Sequence, residues 1–242
     1  MKPAAAAAPP AACMPLAAPA GFELWRIDLA QPLSRDDLAL LDEHERARAE
    51  RFAFDASKQR YRAAHVALRR LLAAPLDADP AALRFDFGAQ GKPRLAGPAD
   101  APAFNLSDSG DVALIAVAPG GEIGVDLELL RPIDDAAELA AQHFCRREAE
   151  ALAAAGSRQR DRLFLRIWAR KEACLKAIGS GLSIAAGSFD GGRLDPGDAP
   201  APQWTRVTIP TPDGVLAVEA TEVDAGPGCV AALARQVRAR RA

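Results

Sequence analysis

Two short stretches of this chain carry side chains able to do chemistry. In Ile123-Gly124-Val125-Asp126-Leu127-Glu128-Leu129, successive side chains of an extended strand point to opposite faces. Ile123, Val125, Leu127 and Leu129 then share an apolar face, and Gly124, Asp126 and Glu128 share the other. Neighbouring carboxylates repel unless a proton or cation lies between them, and hard oxygen donors suit Mg²⁺. The glycine beside them is expected to leave room for a ligand. A strand face that is merely acidic has the same pattern, because Asp-x-Glu is common. The second stretch is Trp168-Ala-Arg-Lys171-Glu172-Ala-Cys-Leu-Lys176. At helical spacing Trp168, Glu172 and Lys176 fall at i, i+4 and i+8 on one stripe, while Phe164, Ile167, Cys174, Leu175 and Ile178 supply apolar contact surface. Taken alone, Glu172 and Lys176 would be a surface pair contributing about 0.3–0.5 kcal/mol. The tryptophan one turn earlier argues against full exposure. Lys171 lies about 100° further round the helix and would approach a ligand from another side.

The elements that must hold these stretches follow from periodicity and punctuation. Phe22–Leu29 alternates as a first strand, and Ser34 opens a helix with Asp36 and Asp37 in its first turn. A helix over Ser57–Ala74 carries Lys58, Arg60, Arg62, Arg69 and Arg70 and is stopped by Pro75. Its basic face is either solvated or a binding surface. Leu83–Phe87 reads as a short strand before the turn Gly91-Lys92-Pro93. Strands Phe104–Leu106 and Val112–Val117 are expected to be joined by the polar link Ser107-Asp108-Ser109-Gly110-Asp111. Pro119-Gly120-Gly121 marks a boundary. Beyond it the plan recurs: the strand ending at Leu129, helices near 134–143, 146–155 and 158–178, then strands near 204–209, 214–220 and 229–234. The expected architecture is α+β, with two similar lobes in pseudo-twofold arrangement, each a small mainly antiparallel sheet with packed helices. The N-terminal lobe spans 21–119 and the C-terminal lobe, with the carboxylates, spans 120–236. Residues 1–20, rich in Ala and Pro, read as a disordered leader, and 237–242 as a basic tail.

Composition removes several classes. A chain of 242 residues with a net charge of −2 has no whole-chain basic footprint, so no nucleic-acid partner is expected. No run of about 18 apolar residues exists to span a membrane. Cys13, Cys145, Cys174 and Cys229 are far apart and without zinc-like spacing, which suits free thiols in a reducing cytosol. His44, His65 and His143 are scattered, so nucleophilic Ser-His or Cys-His catalysis has little to start from. The expected location is cytoplasmic.

Four motifs occur in order: Gly91-Lys92-Pro93, Phe104-Asn105-Leu106-Ser107-Asp108-Ser109, Gly124-Val125-Asp126-Leu127-Glu128, and Trp168 to Lys176 followed by Gly179-Ser-Gly181-Leu182. Together they resemble the 4′-phosphopantetheinyl transferase superfamily, in particular its pseudo-dimeric members that activate peptide and polyketide synthases. The resemblance implies transfer of the 4′-phosphopantetheine arm of coenzyme A to a serine of an acyl or peptidyl carrier protein, releasing adenosine 3′,5′-bisphosphate. It also implies Asp126, Glu128 and Glu172 as Mg²⁺ ligands, Glu172 as base for the carrier serine, and Lys176 as the lysine facing the pyrophosphate and leaving group. Arg62, Lys92, Ser107, Asp108, Lys171 and Lys176 fall at coenzyme-contact positions, with Arg69 a further candidate. The likeness further implies a monomer that supplies both halves of its site, and an acidic carrier helix docking near the cleft between the lobes. One departure stands out: the family commonly has histidine where this chain has Asp108, and a carboxylate facing a phosphate is repulsive. That substitution suits an alternative, a catalytically weakened relative serving as a carrier-protein binding module. Another Mg²⁺-dependent transferase acting on coenzyme A or a nucleotide is a further alternative.

Overall fold

A computed structural model describes residues 12–97, 101–180, 183–192, 194 and 203–237. Among them ten strands and six α-helices form, in the order β1 (Cys13–Leu16), β2 (Glu23–Asp28), α1 (Arg35–Ala39), α2 (Glu43–Ala49), α3 (Asp55–Ala73), β3 (Phe85–Phe87), β4 (Pro93–Leu95), β5 (Ala103–Ser109), β6 (Val112–Ala118), β7 (Ile123–Leu129), α4 (Ala136–His143), α5 (Arg146–Ala154), α6 (Ser157–Ile178), β8 (Thr205–Thr211), β9 (Gly214–Val223) and β10 (Cys229–Gln236).

Two four-stranded antiparallel sheets result, with orders β1-β2-β6-β5 and β7-β10-β9-β8. Their plans correspond. In each lobe a first strand (β2 or β7) leads through helices into a hairpin (β5–β6 or β9–β10) whose second strand returns beside the first. The expected α+β pair of lobes is therefore present as a repeated topology, although no repeat is visible in the residues.

Alternation along the strands decides the layers. On β6, Ala113, Ile115 and Val117 face α3 through Ala63, Ala64, Ala67, Leu68, Leu71 and Leu72. Leu114, Ala116 and Ala118 on its other side meet Ile123, Val125 and Leu127 of β7 with Ala231 and Leu233 of β10. The far face of the second sheet is covered by α6 through Ala169, Ala173, Leu175 and Ala177. The order of layers is helix, sheet, sheet, helix, and the apolar face expected of β7 is the one that joins the two lobes.

Three boundaries differ from the expectation. Cys13–Leu16 is not part of a disordered leader: it pairs antiparallel with Leu24–Ile27 and extends the first sheet, because Cys13 and Leu16 supply apolar contacts to its two cores. Residues 1–11 and the end of the basic tail lie outside the described residues. The link expected from Ser107 is strand as far as Ser109, since its odd side chains have partners on β7. The Gly91-Lys92-Pro93 turn belongs to a separate β3–β4 hairpin.

Candidate active site at the seam between the sheets

Edge strands β5 and β7 lie side by side without a shared backbone ladder. Every second side chain of β5 reaches across instead. Asn105 Oδ1 accepts from Val125 N at 2.8 Å, Ser107 Oγ from Leu127 N at 3.3 Å, and Ser109 Oγ from Leu129 N at 3.2 Å. The offset is twenty residues at each rung, so the strands run parallel and in register. Two rungs also hold carboxylates: Ser107 donates to Asp126 Oδ1 at 2.8 Å and Ser109 to Glu128 Oε2 at 3.3 Å.

Helix α6 closes the site over the face of β7 that carries Gly124, Asp126 and Glu128. It can do so only because residue 124 is glycine. A Cβ there would lie 2.1 Å from Ala173 O, 2.5 Å from Ala177 N and 2.9 Å from the carbonyl carbon of Lys176, all backbone atoms. The space expected for a ligand beside Gly124 is thus filled by the helix, and the glycine serves close helix–strand packing. This contact brings Lys176 Nζ to 2.6 Å from Asp126 Oδ1, 3.0 Å from Ser107 Oγ and 3.2 Å from Val125 O. Lys176 pairs with Asp126 across the seam, not with Glu172 one turn away on its own helix. Gly179, at φ +68°, then ends α6 in the left-handed conformation that glycine favours.

The electrostatics are those of a site short of positive charge. Asp126 is 5% exposed, and its Oδ2 is buried with no hydrogen-bond partner. Burial pushes its pKa up, while Lys176 and Ser107 pull it back and Glu128 adds to the rise. Glu172 is half-buried and, among the described residues, no hydrogen bond or ion pair holds it. Burial first, then the charge of Asp126, raises its pKa against the opposing pull of Lys176. Glu128 meets Arg131 Nη1 at 2.8 Å. An unpartnered buried oxygen on Asp126, with Glu128 close enough to raise the pKa of both Asp126 and Glu172, is a donor set that fits a hard divalent cation. The three carboxylates are not closed to ligating distance. Among the described residues only Cys145, Glu148 and Asp190 have ligand atoms within 4.8 Å of one another, and there Glu148 is taken by Lys171 and Asp190 by Arg147.

Asp126 and Glu128 share a strand face and Glu172 lies one turn from Lys176, as the local patterns imply, and the fold brings these four together with Ser107. The other expected contacts are distributed differently. Lys171 is fully buried, ion-paired with Glu148 at 2.8 Å and donating to Ala186 O and Phe189 O at 2.7 and 2.6 Å. All three of its protons are committed inside the fold, which removes it from the coenzyme contacts. Arg69 is likewise buried, held by Asp42, Glu45 and the carbonyls of Pro80 and Leu83. Ser107 spends its donor on Asp126 and its two acceptor positions on Leu127 N and Lys176, so it orients the site and has no capacity left for a phosphate. Asp108 points to the opposite face of β5 from Ser107 and Ser109 and is exposed, so strand alternation turns the departing carboxylate away from the acidic cluster. Arg62 is paired with Glu50 on the N-terminal lobe. Lys92 donates to Glu122 Oε2 and Ile123 O, both at 2.9 Å, at the start of β7 and roughly 10 Å along the strand from Asp126. Burial lowers its pKa and Glu122 draws it back.

Sequence reasoning passed over Ser109 and Arg131 as members of the site. The spacing of Asn105, Ser107 and Ser109 was the available signal, because residues two apart share a strand face. Arg131 lies past the strand and carried no signal. A groove of ≈ 220 Å³ on the N-terminal lobe was also illegible; Arg48, Tyr61, His65, Phe85, Phe104 and Asn105 are among the residues lining it.

Comparison with known proteins identifies the family. Residues 122–215 match the family model described as the 4′-phosphopantetheinyl transferase superfamily, and residues 31–120 match one described as 4′-phosphopantetheinyl transferase, N-terminal. The 4′-phosphopantetheinyl transferase HetI of Nostoc sp. is 38% identical over 208 residues, which cover 81% of this chain and 86% of that protein. A putative 4′-phosphopantetheinyl transferase, slr0495 of Synechocystis sp., is 40% identical over 162 residues, 66% of each chain. The 4′-phosphopantetheinyl transferase Sfp of Bacillus subtilis is 27% identical over 172 residues, covering 69% of this chain and 75% of that protein.

Proposed function

Because the chain belongs to the 4′-phosphopantetheinyl transferase superfamily, we propose that it moves the 4′-phosphopantetheine arm of coenzyme A onto a serine of an acyl or peptidyl carrier protein, releasing adenosine 3′,5′-bisphosphate. The observation that carries the reading is the buried, unpartnered Asp126 Oδ2 among Glu128, Glu172 and Lys176. Asp126, Glu128 and Glu172 would hold Mg²⁺, which when bound cancels pyrophosphate charge and polarises the phosphoryl oxygens.

The chain's own residues account for the rest. Glu172 has no partner of its own among the described residues, and its proton affinity is raised by burial and by Asp126. It is suited to take the hydroxyl proton of the carrier serine as that oxygen attacks the pantetheine-side phosphorus. Lys176 keeps its ammonium beside Asp126 and part-exposed, where it faces the leaving phosphate and offsets the charge that develops there. Lys92 and the exposed Arg94, both on Glu122, lie where a coenzyme phosphate could replace the carboxylate. Arg62 would reach a phosphate by exchanging Glu50 for it, a change that a surface pair permits at little cost. The groove of Tyr61, Phe85 and Phe104 beside Arg48 and His65 suits a flat heteroaromatic ring with anionic substituents, such as the adenine end of the coenzyme. The two-lobed chain supplies the whole seam by itself, which fits a monomer acting in the cytoplasm on a carrier that docks at the cleft.

Incubation with coenzyme A, Mg²⁺ and a panel of apo carrier proteins, followed by mass spectrometry of the carriers, tests the proposal. A carrier that gains one phosphopantetheine arm supports it. Binding of carriers without any mass gain would favour the binding-module alternative that Asp108 suggests.

A further inference from the structure

The seam holds a pattern that the transferase reading does not use. Asp126 and Glu128 are each gripped by one oxygen and released at the other. Asp126 Oδ1 takes Ser107 at 2.8 Å and Lys176 at 2.6 Å, while Oδ2 is left buried and unpartnered. Glu128 Oε2 takes Ser109 at 3.3 Å and Arg131 at 2.8 Å, and among the described residues no hydrogen bond reaches Oε1. In both cases the grip consists of a β5 hydroxyl plus one cation. Both hydroxyls are themselves fixed by a β7 amide, Leu127 N for Ser107 and Leu129 N for Ser109. A hydroxyl that accepts from a backbone amide is anchored in position and cannot aim its own proton back along that direction. The rung therefore holds one oxygen of each carboxylate and restricts the rotation of the group.

We infer that Ser107 and Ser109 are positioning residues: they fix the rotation of Asp126 and Glu128 so that one oxygen of each is presented, and they thereby set the affinity of the seam for a divalent cation. The inference rests on the cation reading given above. It concerns Ser109 most sharply, because Ser107 also touches Lys176 and its removal would disturb two groups at once. Partners that orient ligating carboxylates change metal affinity by about 10–100-fold when removed. Asn105 supplies an internal control. It makes the same kind of bridge to β7, through Val125 N, but among the described residues has no hydrogen bond to either carboxylate.

The test measures Mg²⁺ binding to the full chain by titration calorimetry without coenzyme A, alongside thermal unfolding. Ser109→Ala is expected to weaken Mg²⁺ about tenfold, and Ser109→Thr, which keeps the hydroxyl, to restore it to within about twofold. Asn105→Ala is expected to lower the unfolding temperature while leaving Mg²⁺ affinity unchanged. In assays of transfer, the Ser109→Ala defect should appear as a raised Mg²⁺ requirement that saturating Mg²⁺ overcomes. Should Ser109→Ala fail to fold, Ser109→Cys repeats the comparison with a weak donor of similar bulk. Equal Mg²⁺ affinity in wild type and the Ser109 variants would overturn the positioning role and leave the cation site standing. A wild-type chain that binds no Mg²⁺ would overturn both.

Discussion

Gly124→Ala probes the contact on which the site is built. The added methyl would lie 2.1 Å from Ala173 O, against the 3.4 Å or more of an ordinary contact. Relief of that overlap requires a separation of about 1.3 Å between α6 and β7, and the opposing atoms are backbone, which cannot swing aside as a side chain can. The same movement carries Lys176 away from Asp126, so a 2.6 Å ion pair opens towards the limit of direct contact and Glu172 shifts with it. Overpacking of this kind costs about 1–3 kcal/mol, which for a chain of this size lowers the melting temperature by roughly 3–10 °C. Misplacement of a reacting group by about 1 Å costs about a hundredfold in rate. Thermal unfolding followed by circular dichroism, with single-turnover transfer on the same preparation, reads both quantities. A variant that melts within a degree of wild type and retains a third of its turnover would refute the reasoning, because α6 would then not be seated on Gly124.

The remaining predictions concern the charges of the seam. Glu172→Gln is expected to lower transfer about a thousandfold with little change in unfolding temperature, since among the described residues Glu172 holds no structural partner; near-normal transfer would remove it from the base role. Lys176→Met leaves Asp126 buried without its counter-ion and should cost about 2–3 kcal/mol at neutral pH, the lower range for breaking a buried pair because Lys176 keeps some solvent contact. The pKa of Asp126 is raised in the fold, so its ionisation penalty is absent below the unfolded value and complete above the folded one. Denaturant titrations of this variant should therefore approach wild type as the pH falls into the acid range, and a defect that grew with acidity would contradict the assignment. Mg²⁺ at about a hundred times its dissociation constant should raise stability by about 2.7 kcal/mol. The gain should be larger at pH 8 than at pH 5, because protonated carboxylates do not bind the ion, and chelator should abolish it.

Much of the site was legible before any tertiary structure, for physical reasons that can be named. Strand alternation alone puts Asp126 and Glu128 on one face, and helical spacing alone puts Glu172 one turn from Lys176. Both patterns are local, and both hold in the fold. The repeated order of strand, helices and hairpin was also readable, because hydrophobic period and Gly/Pro punctuation are local signals. Other features depend on what arrives from far along the chain. Lys171 and Lys176 sit five residues apart on one helix, yet the first is sealed against Glu148 and Phe189 while the second reaches the seam. Helical spacing puts them on different sides of α6, but it does not say which side is sealed. Gly124 looked like room for a ligand and proved to be the seat of α6, and Asp108 gained its outward orientation from a strand that extends further than its polar residues suggested.

The sequence by itself thus determined which side chains share a face, and with them the kind of chemistry this protein could host. Tertiary structure alone decided how those faces are joined. β5 and β7 meet through side chains in place of a backbone ladder, a pairing across twenty residues that no local period encodes. That seam ties down one oxygen each of Asp126 and Glu128, and it leaves a buried oxygen of Asp126 without a partner.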